Sequence, residues 1–182
     1  MTDSLTATAK VESGEIVADP AKDIVKLAVQ ERNRNTGRTA VGFVKGLGLR
    51  RGALGASVAH DAHPFIVAGA DDASMLTALK WLREQGGGLV ACEGTRILAC
   101  LSLTAGRLMS DEPLSAVADQ LTAVDQAAAG LGLVGDHPCM ALSFLSLSVI
   151  PSLKLTDQGY VDIGQSGLQE LLVTGGQDGD IS

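Results

Sequence analysis

The chain has 182 residues, the size of one ordinary domain. Lys and Arg number 14 and Asp and Glu 21, a formal net charge of −7, and 3% of the residues are aromatic. That balance disfavours a nucleic-acid binder, which needs a basic face and often stacking aromatics, and it excludes a polybasic membrane-surface protein.

With 46% apolar and 19% charged residues the composition is that of a globular domain. Cys92, Cys100 and Cys139 are widely spaced with no CxxC pair. Neither a disulfide scaffold nor a four-cysteine zinc site is expected, and a reduced, cytoplasmic setting fits. The N-terminus has no basic segment followed by an apolar stretch, so no secretory signal is read there. The apolar run from Met140 to Ile150 is too short to span a bilayer and is interrupted by Ser143, Ser146 and Ser148.

Residues 1–19 are small and polar and read as a tail or linker, residues 20–164 as the folded body, and residues 165–182 as a second tail. Val25, Leu27 and Val29 alternate with Lys26, Ala28 and Gln30, the period of a strand. Further strands are predicted at 41–45, 54–59 and 65–70, and at 89–93 and 96–103 across a turn at Gly94-Thr95. Met140–Val149 is another strand candidate, and 160–163 is expected to pair after the Asp157-Gln158-Gly159 turn.

Two segments carry helical spacing. In 72–85, Met75, Leu79 and Leu82 recur at i, i+4 and i+7, with Asp71 or Asp72 to cap the start and Gly86-Gly87-Gly88 to end it. In 113–129, Pro113 stands at the first helical position and Leu114, Val117, Leu121, Val124 and Ala128 form one stripe. The expected fold is a single α+β domain of about six or more mostly antiparallel strands with two main helices.

The most concentrated polar cluster is Ser57-Val58-Ala59-His60-Asp61-Ala62-His63-Pro64. Two of the chain's three histidines flank a carboxylate there, and such groups bind metals and move protons. On a regular strand His60 and His63 would face opposite ways, so convergence requires the irregular backbone that Pro64 favours. The competing reading is a loop in which Asp61 caps N–H groups and the histidines pack or hydrogen-bond. Gly42 to Leu49 contains a G-x-G, and Lys45 is available to an anion, but neither phosphate-loop pattern is present. Glycines serving positive φ or close strand packing account for it as well. Asp111 and Glu112, ahead of the second helix, are secondary candidates whose simpler role is to complement its N–H groups. His137 reads as a surface or packing residue.

Together these segments resemble the C-terminal domain of bacterial and archaeal adenine deaminases. The resemblance runs in order through Asp19-Pro20, Thr36-Gly37, Val41 to Leu49, Gly52-Ala53-Leu54, Ser57 to His63, Gly86 to Val90, Gly106 to Pro113, Leu142 to Leu145 and Val149 to Asp157. It covers about residues 19–163. The family usually has a histidine where this chain has Arg32-Asn33, an asparagine where it has Pro64, and an aromatic where it has Cys139.

The resemblance implies an accessory part of an enzyme that hydrolyses adenine to hypoxanthine and ammonia with a divalent metal, often manganese, in an amidohydrolase barrel. Such barrels typically exceed about 200 residues, and their metal centres use an H-x-H pair that this sequence lacks. The barrel is therefore expected as a partner, on another domain or chain, and the isolated chain is expected to be inactive. His60, Asp61 and His63 are the implied contacts to substrate or metal. A small metal site on those three residues alone is a further possibility. The alternative reading is a non-catalytic binding or homo-oligomerisation module retained without the barrel.

Overall fold

A computed structural model describes residues 2–34, 36–60, 62–165 and 167–173. A short hairpin of β1 (Lys10–Glu12) and β2 (Glu15–Val17) precedes the main sheet. The sheet is built from β3 (Ile24–Gln30), β4 (Thr39–Lys45), β5 (Ala53–Ala56), β6 (Phe65–Gly69), β7 (Gly88–Glu93) and β8 (Arg96–Ser102). All its pairs are antiparallel, in the order β4-β3-β6-β5-β7-β8. The fold is α+β, as the unequal mixture of strand and helix periods predicts.

Side chains alternate across each strand, so the sheet buries two faces. On one face Ala53, Phe65, Val67, Val90 and Cys92 meet α1 (Asp72–Gln85) through Met75, Ala78 and Leu82. On the other, Val25, Leu27, Val29, Leu54, Ile66 and Leu89 meet α2 (Leu114–Gly130), α3 (Pro138–Ser143) and the strand β9 (Leu153–Thr156). Each fully buried Leu, Ile or Val stabilises this sandwich by roughly 1.5–3 kcal/mol.

The first helix begins and ends where its capping residues stand. The Asp71 carboxylate accepts the Ser74 N–H at 2.8 Å, and Gly86 closes the helix at φ +78°. In α2 the predicted stripe is only partly inward: Val124 and Ala128 are buried, whereas Leu114 is 85% exposed. Pro113 is the residue before the helix rather than its first member.

Met140–Val149 is not a strand. Its first residues complete α3, and Phe144–Ser146 form a 3-10 turn. The buried positions Cys139, Leu142, Ser143 and Ser146 have helical spacing, but two of them are serines, which hid the period from a hydrophobicity reading. Ser143 is tolerated because its hydroxyl donates to the Met140 carbonyl at 2.7 Å.

β9, β10 (Gly159–Asp162) and β11 (Leu168–Gln169) form a small antiparallel sheet. Tyr160 fastens it to β4: the Phe43 N–H donates to the phenol oxygen at 2.6 Å, and the phenol donates to the Phe43 carbonyl at 2.8 Å. A Cβ at Gly42 would lie 2.4 Å from that oxygen. The first glycine of the Gly42–Leu49 stretch thus serves close packing. Further along the run, the Gly48 N–H donates to Asp23 Oδ1 at 2.7 Å, a structural contact rather than a phosphate cradle.

Candidate functional site

After Ala56 the chain leaves the sheet and re-enters it at Phe65. Ser57, fully buried, pins the start of this excursion. Its oxygen accepts the Gly88 N–H at 2.8 Å and its hydroxyl donates to the Arg107 carbonyl at 3.1 Å. A tight turn follows, in which the His63 N–H donates to the Ala59 carbonyl at 2.8 Å and the Ala59 N–H donates to His63 Nδ1 at 3.3 Å. A neutral imidazole accepting at Nδ1 carries its proton on Nε2. His63 adopts φ +47°, a left-handed conformation uncommon outside glycine.

This irregular backbone brings the rings of His60 and His63 to 6.3 Å between centroids, a proximity that a flat strand forbids. Asp61 lies outside the described residues. His60 also rests against Phe144, with ring centroids 5.2 Å apart, a contact that exists only because residues 138–146 are helical.

The excursion contributes to two clefts. One, of about 340 Å³, includes Glu31, Asn33, Ala62, Pro64, Ser148 and Asp157. The Asn33 side chain ties two of its walls together by donating to the Ala62 carbonyl at 3.0 Å. Its carboxylates are engaged: Asp157 pairs with Arg38, and Glu31 accepts the backbone N–H groups of Arg34 and Thr36, which hold its carboxyl below the usual range.

The other cleft, of about 240 Å³, is more apolar, and Val58, His60, Leu121, Asp125, His137 and Met140 line much of it. Burial pushes the Asp125 carboxyl up, an effect that His137 opposes. Cys139, at the same cleft, is pushed up to about 12 by burial first and by Asp125 second, so its thiol stays protonated at neutral pH.

Lys45, Asp111 and Glu112 are exposed and line neither cleft. No side chain caps α2, so the two acids do not act as the capping reading expects. Sequence reasoning missed Asp125 and Phe144, and gave His137 no part in a site. The available signal was Asp125 itself: it directly follows Val124, which α2 buries. Arg32 was also unforeseen. It is buried beside the excursion, stacks over Phe65 at 5.9 Å, donates to the Arg107 carbonyl at 3.1 Å, and has no carboxylate partner among the described residues.

Among the described residues, no three His, Cys, Asp or Glu side chains cluster closely enough to hold a metal ion. Among the same residues, no helix is long and apolar enough to cross a membrane.

Comparison with known proteins gives this geometry its context. The family model described as the adenine deaminase C-terminal domain matches residues 1–166. An adenine deaminase of Oleidesulfovibrio alaskensis is 51% identical over 164 residues, and one of Desulfatibacillum aliphaticivorans is 47% identical over 163. One from Methanothrix thermoacetophila is 42% identical over 167 residues. The matches take in 90–92% of this chain but 29% of each relative, so the chain spans less than a third of the proteins it resembles. By the extent of the family match and the identity of these relatives, the chain belongs to the adenine deaminase C-terminal domain family.

Proposed function

We propose that this chain is the accessory domain of a metal-dependent adenine deaminase, completing the active site of an amidohydrolase barrel that lies outside its 182 residues. The observation that carries the reading is the one-sided coverage: nearly all of this chain aligns to 29% of proteins named adenine deaminase. The complete enzyme would convert adenine to hypoxanthine and ammonia, with manganese or another divalent ion in the barrel supplying an activated water. No step of that chemistry is assigned to a metal on this chain.

The contribution of this chain is positioning. The turn closed by Ala59 and His63 holds His60 and His63 near one another, and Ser57 anchors the base of that turn. His60, Asp61 and His63 are the proposed contacts to the substrate or to the barrel's metal shell. An imidazole there can hold a proton or donate one to a purine nitrogen. Lys45, Asp111 and Glu112 stand as secondary candidates for contact with substrate or metal. A cytoplasmic setting accords with the three cysteines, which are unpaired.

The test is reconstitution. The Oleidesulfovibrio alaskensis relative, truncated to remove the part this chain matches, is loaded with manganese, and ammonia release from adenine is measured alone and after mixing. The expected result is no ammonia from this chain by itself and a rise in activity on mixing. Ammonia release by the metal-loaded chain alone would overturn its assignment as an inactive accessory. Failure to bind the barrel, with a stable homo-oligomer indifferent to adenine, would leave the assembly-module reading in its place.

A further inference from the structure

The larger of the two clefts holds two buried polar groups with nothing to satisfy them. Arg32 and Ser146 both line it, and each is 8% exposed. Arg32 Nε and Ser146 Oγ are buried at its wall with no hydrogen-bond partner among the described residues. An unmet buried polar group costs about 1–3 kcal/mol, and more when it is charged.

Arg32 is held in place from elsewhere. Its Nη1 donates to the Arg107 carbonyl at 3.1 Å, Arg107 Nη1 returns a bond to the Arg32 carbonyl at 3.4 Å, and the guanidinium lies 5.9 Å over the Phe65 ring. The Nε–Nη2 edge, which can grip a carboxylate through two parallel N–H bonds, has no partner among the described residues. Glu31 and Asp157 line the same cleft but are already engaged, Glu31 by the N–H groups of Arg34 and Thr36 and Asp157 by Arg38. Burial first, and Arg107 second, lower the pKa of the Arg32 guanidinium, yet an arginine stays charged at neutral pH. A buried cation of this kind favours a negative partner.

The remaining lining narrows what that partner is. The charges of Glu31 and Asp157 disfavour a dianion such as phosphate. Val29, Val161 and Leu168 contribute apolar lining that an inorganic ion leaves uncovered, and a volume of about 340 Å³ exceeds a bare carboxylate. We propose that this cleft binds a small monocarboxylate with a short apolar body, its carboxylate held side-on by Arg32 and bonded by the Ser146 hydroxyl. His60, His63, Lys45, Asp111 and Glu112 do not line it, and the ligand is an anion rather than a neutral base. The site therefore stands apart from the accessory reading and is tested without a barrel or metal.

The 182-residue chain, labelled with ¹⁵N, is titrated at constant ionic strength with butyrate, with butyramide as its neutral counterpart, and with inorganic phosphate. Butyrate is expected to shift the Arg32 Nε–H signal and the backbone amides of Ser146, Ser148 and Val161 saturably. Butyramide should leave them unmoved, and phosphate should bind more weakly than butyrate. Arg32→Lys keeps the charge but loses the fork, and should weaken butyrate binding at least about tenfold. Ser146→Ala, which removes one hydroxyl and leaves Arg32 in place, should weaken it about threefold or more. The site is overturned if butyrate at tens of millimolar leaves these signals in place, if butyramide or phosphate binds as tightly, or if Ser146→Ala binds butyrate like the parent chain. Undiminished binding by a folded Arg32→Lys chain would overturn it too.

Discussion

The phenol of Tyr160 occupies the space that a side chain at Gly42 would need. The Cβ position at Gly42 lies 2.4 Å from the phenol oxygen and 2.5 Å from the ring carbon that carries it. The small sheet holding Tyr160 therefore docks on the main sheet through a glycine, and the hydrogen bonds to Phe43 lock the register of that contact.

Gly42→Ala should consequently cost about 2 kcal/mol or more, since the obstacle is a packed ring with both hydrogen bonds in use. Tyr160→Phe should cost about 1–2 kcal/mol by leaving the Phe43 groups without that partner. Urea unfolding measures both. In a double-mutant cycle with Tyr160→Ala, the two changes should be strongly non-additive. Simple additivity would show that the contact is absent.

Ser57→Ala removes an acceptor from the Gly88 N–H and a donor to the Arg107 carbonyl at a buried position. The expected loss is about 1–3 kcal/mol, detected as a fall in the urea midpoint at unchanged slope. Hydrogen exchange should accelerate at Gly88 and across the turn closed by Ala59 and His63.

His60→Ala should separate function from folding. The ring is half-buried against Phe144, so its removal should change the stability of the chain by about 1 kcal/mol or less. In the reconstituted complex the same substitution should lower kcat/KM for adenine at least about tenfold if the imidazole meets substrate. His63→Ala acts on both: it withdraws the Nδ1 acceptor from Ala59 and should loosen the turn as well as reduce activity. Unchanged kinetics in both variants would remove the pair from the proposed site.

Burial keeps two thiols neutral and thereby links stability to alkaline pH. Cys139 is pushed up to about 12 and Cys92 to about 11, from an ordinary value of 9.0. The folded pKa exceeds the unfolded one, so the folded state holds these protons more tightly. Their contribution is full below pH 9 and is lost as pH rises toward 11 and 12. Stability should therefore fall through that window by up to about 1.4 kcal/mol per pH unit for each thiol. Cys139→Ala should flatten the slope, as read by urea unfolding at a series of pH values. At pH near neutral, both thiols should resist iodoacetamide in the folded chain and react once it is unfolded.

Local features were legible in the amino-acid order because their causes are local. Alternation at Val25, Leu27 and Val29 placed β3, and Asp71 with Gly86 bounded α1 almost to the residue. The same order singled out His60 and His63 by type, and Pro64 indicated that the backbone between them would not be a flat strand. The helix at 138–143 escaped because buried serines broke the hydrophobic period, and with it went the contact of Phe144 on His60.

Sequence by itself thus determined the strands of the main sheet, the caps of the first helix, the α+β class and the loop that carries two histidines. Tertiary structure alone decided that α2 and α3 close over that loop, that Asp125 faces a cleft with no hydrogen-bond partner for its Oδ1 among the described residues, and that Gly42 yields its space to Tyr160. The reason is the range of the forces involved. Periodicity and capping act over a few residues, whereas these contacts join positions far apart in the chain and arise only when the two faces of one sheet are covered.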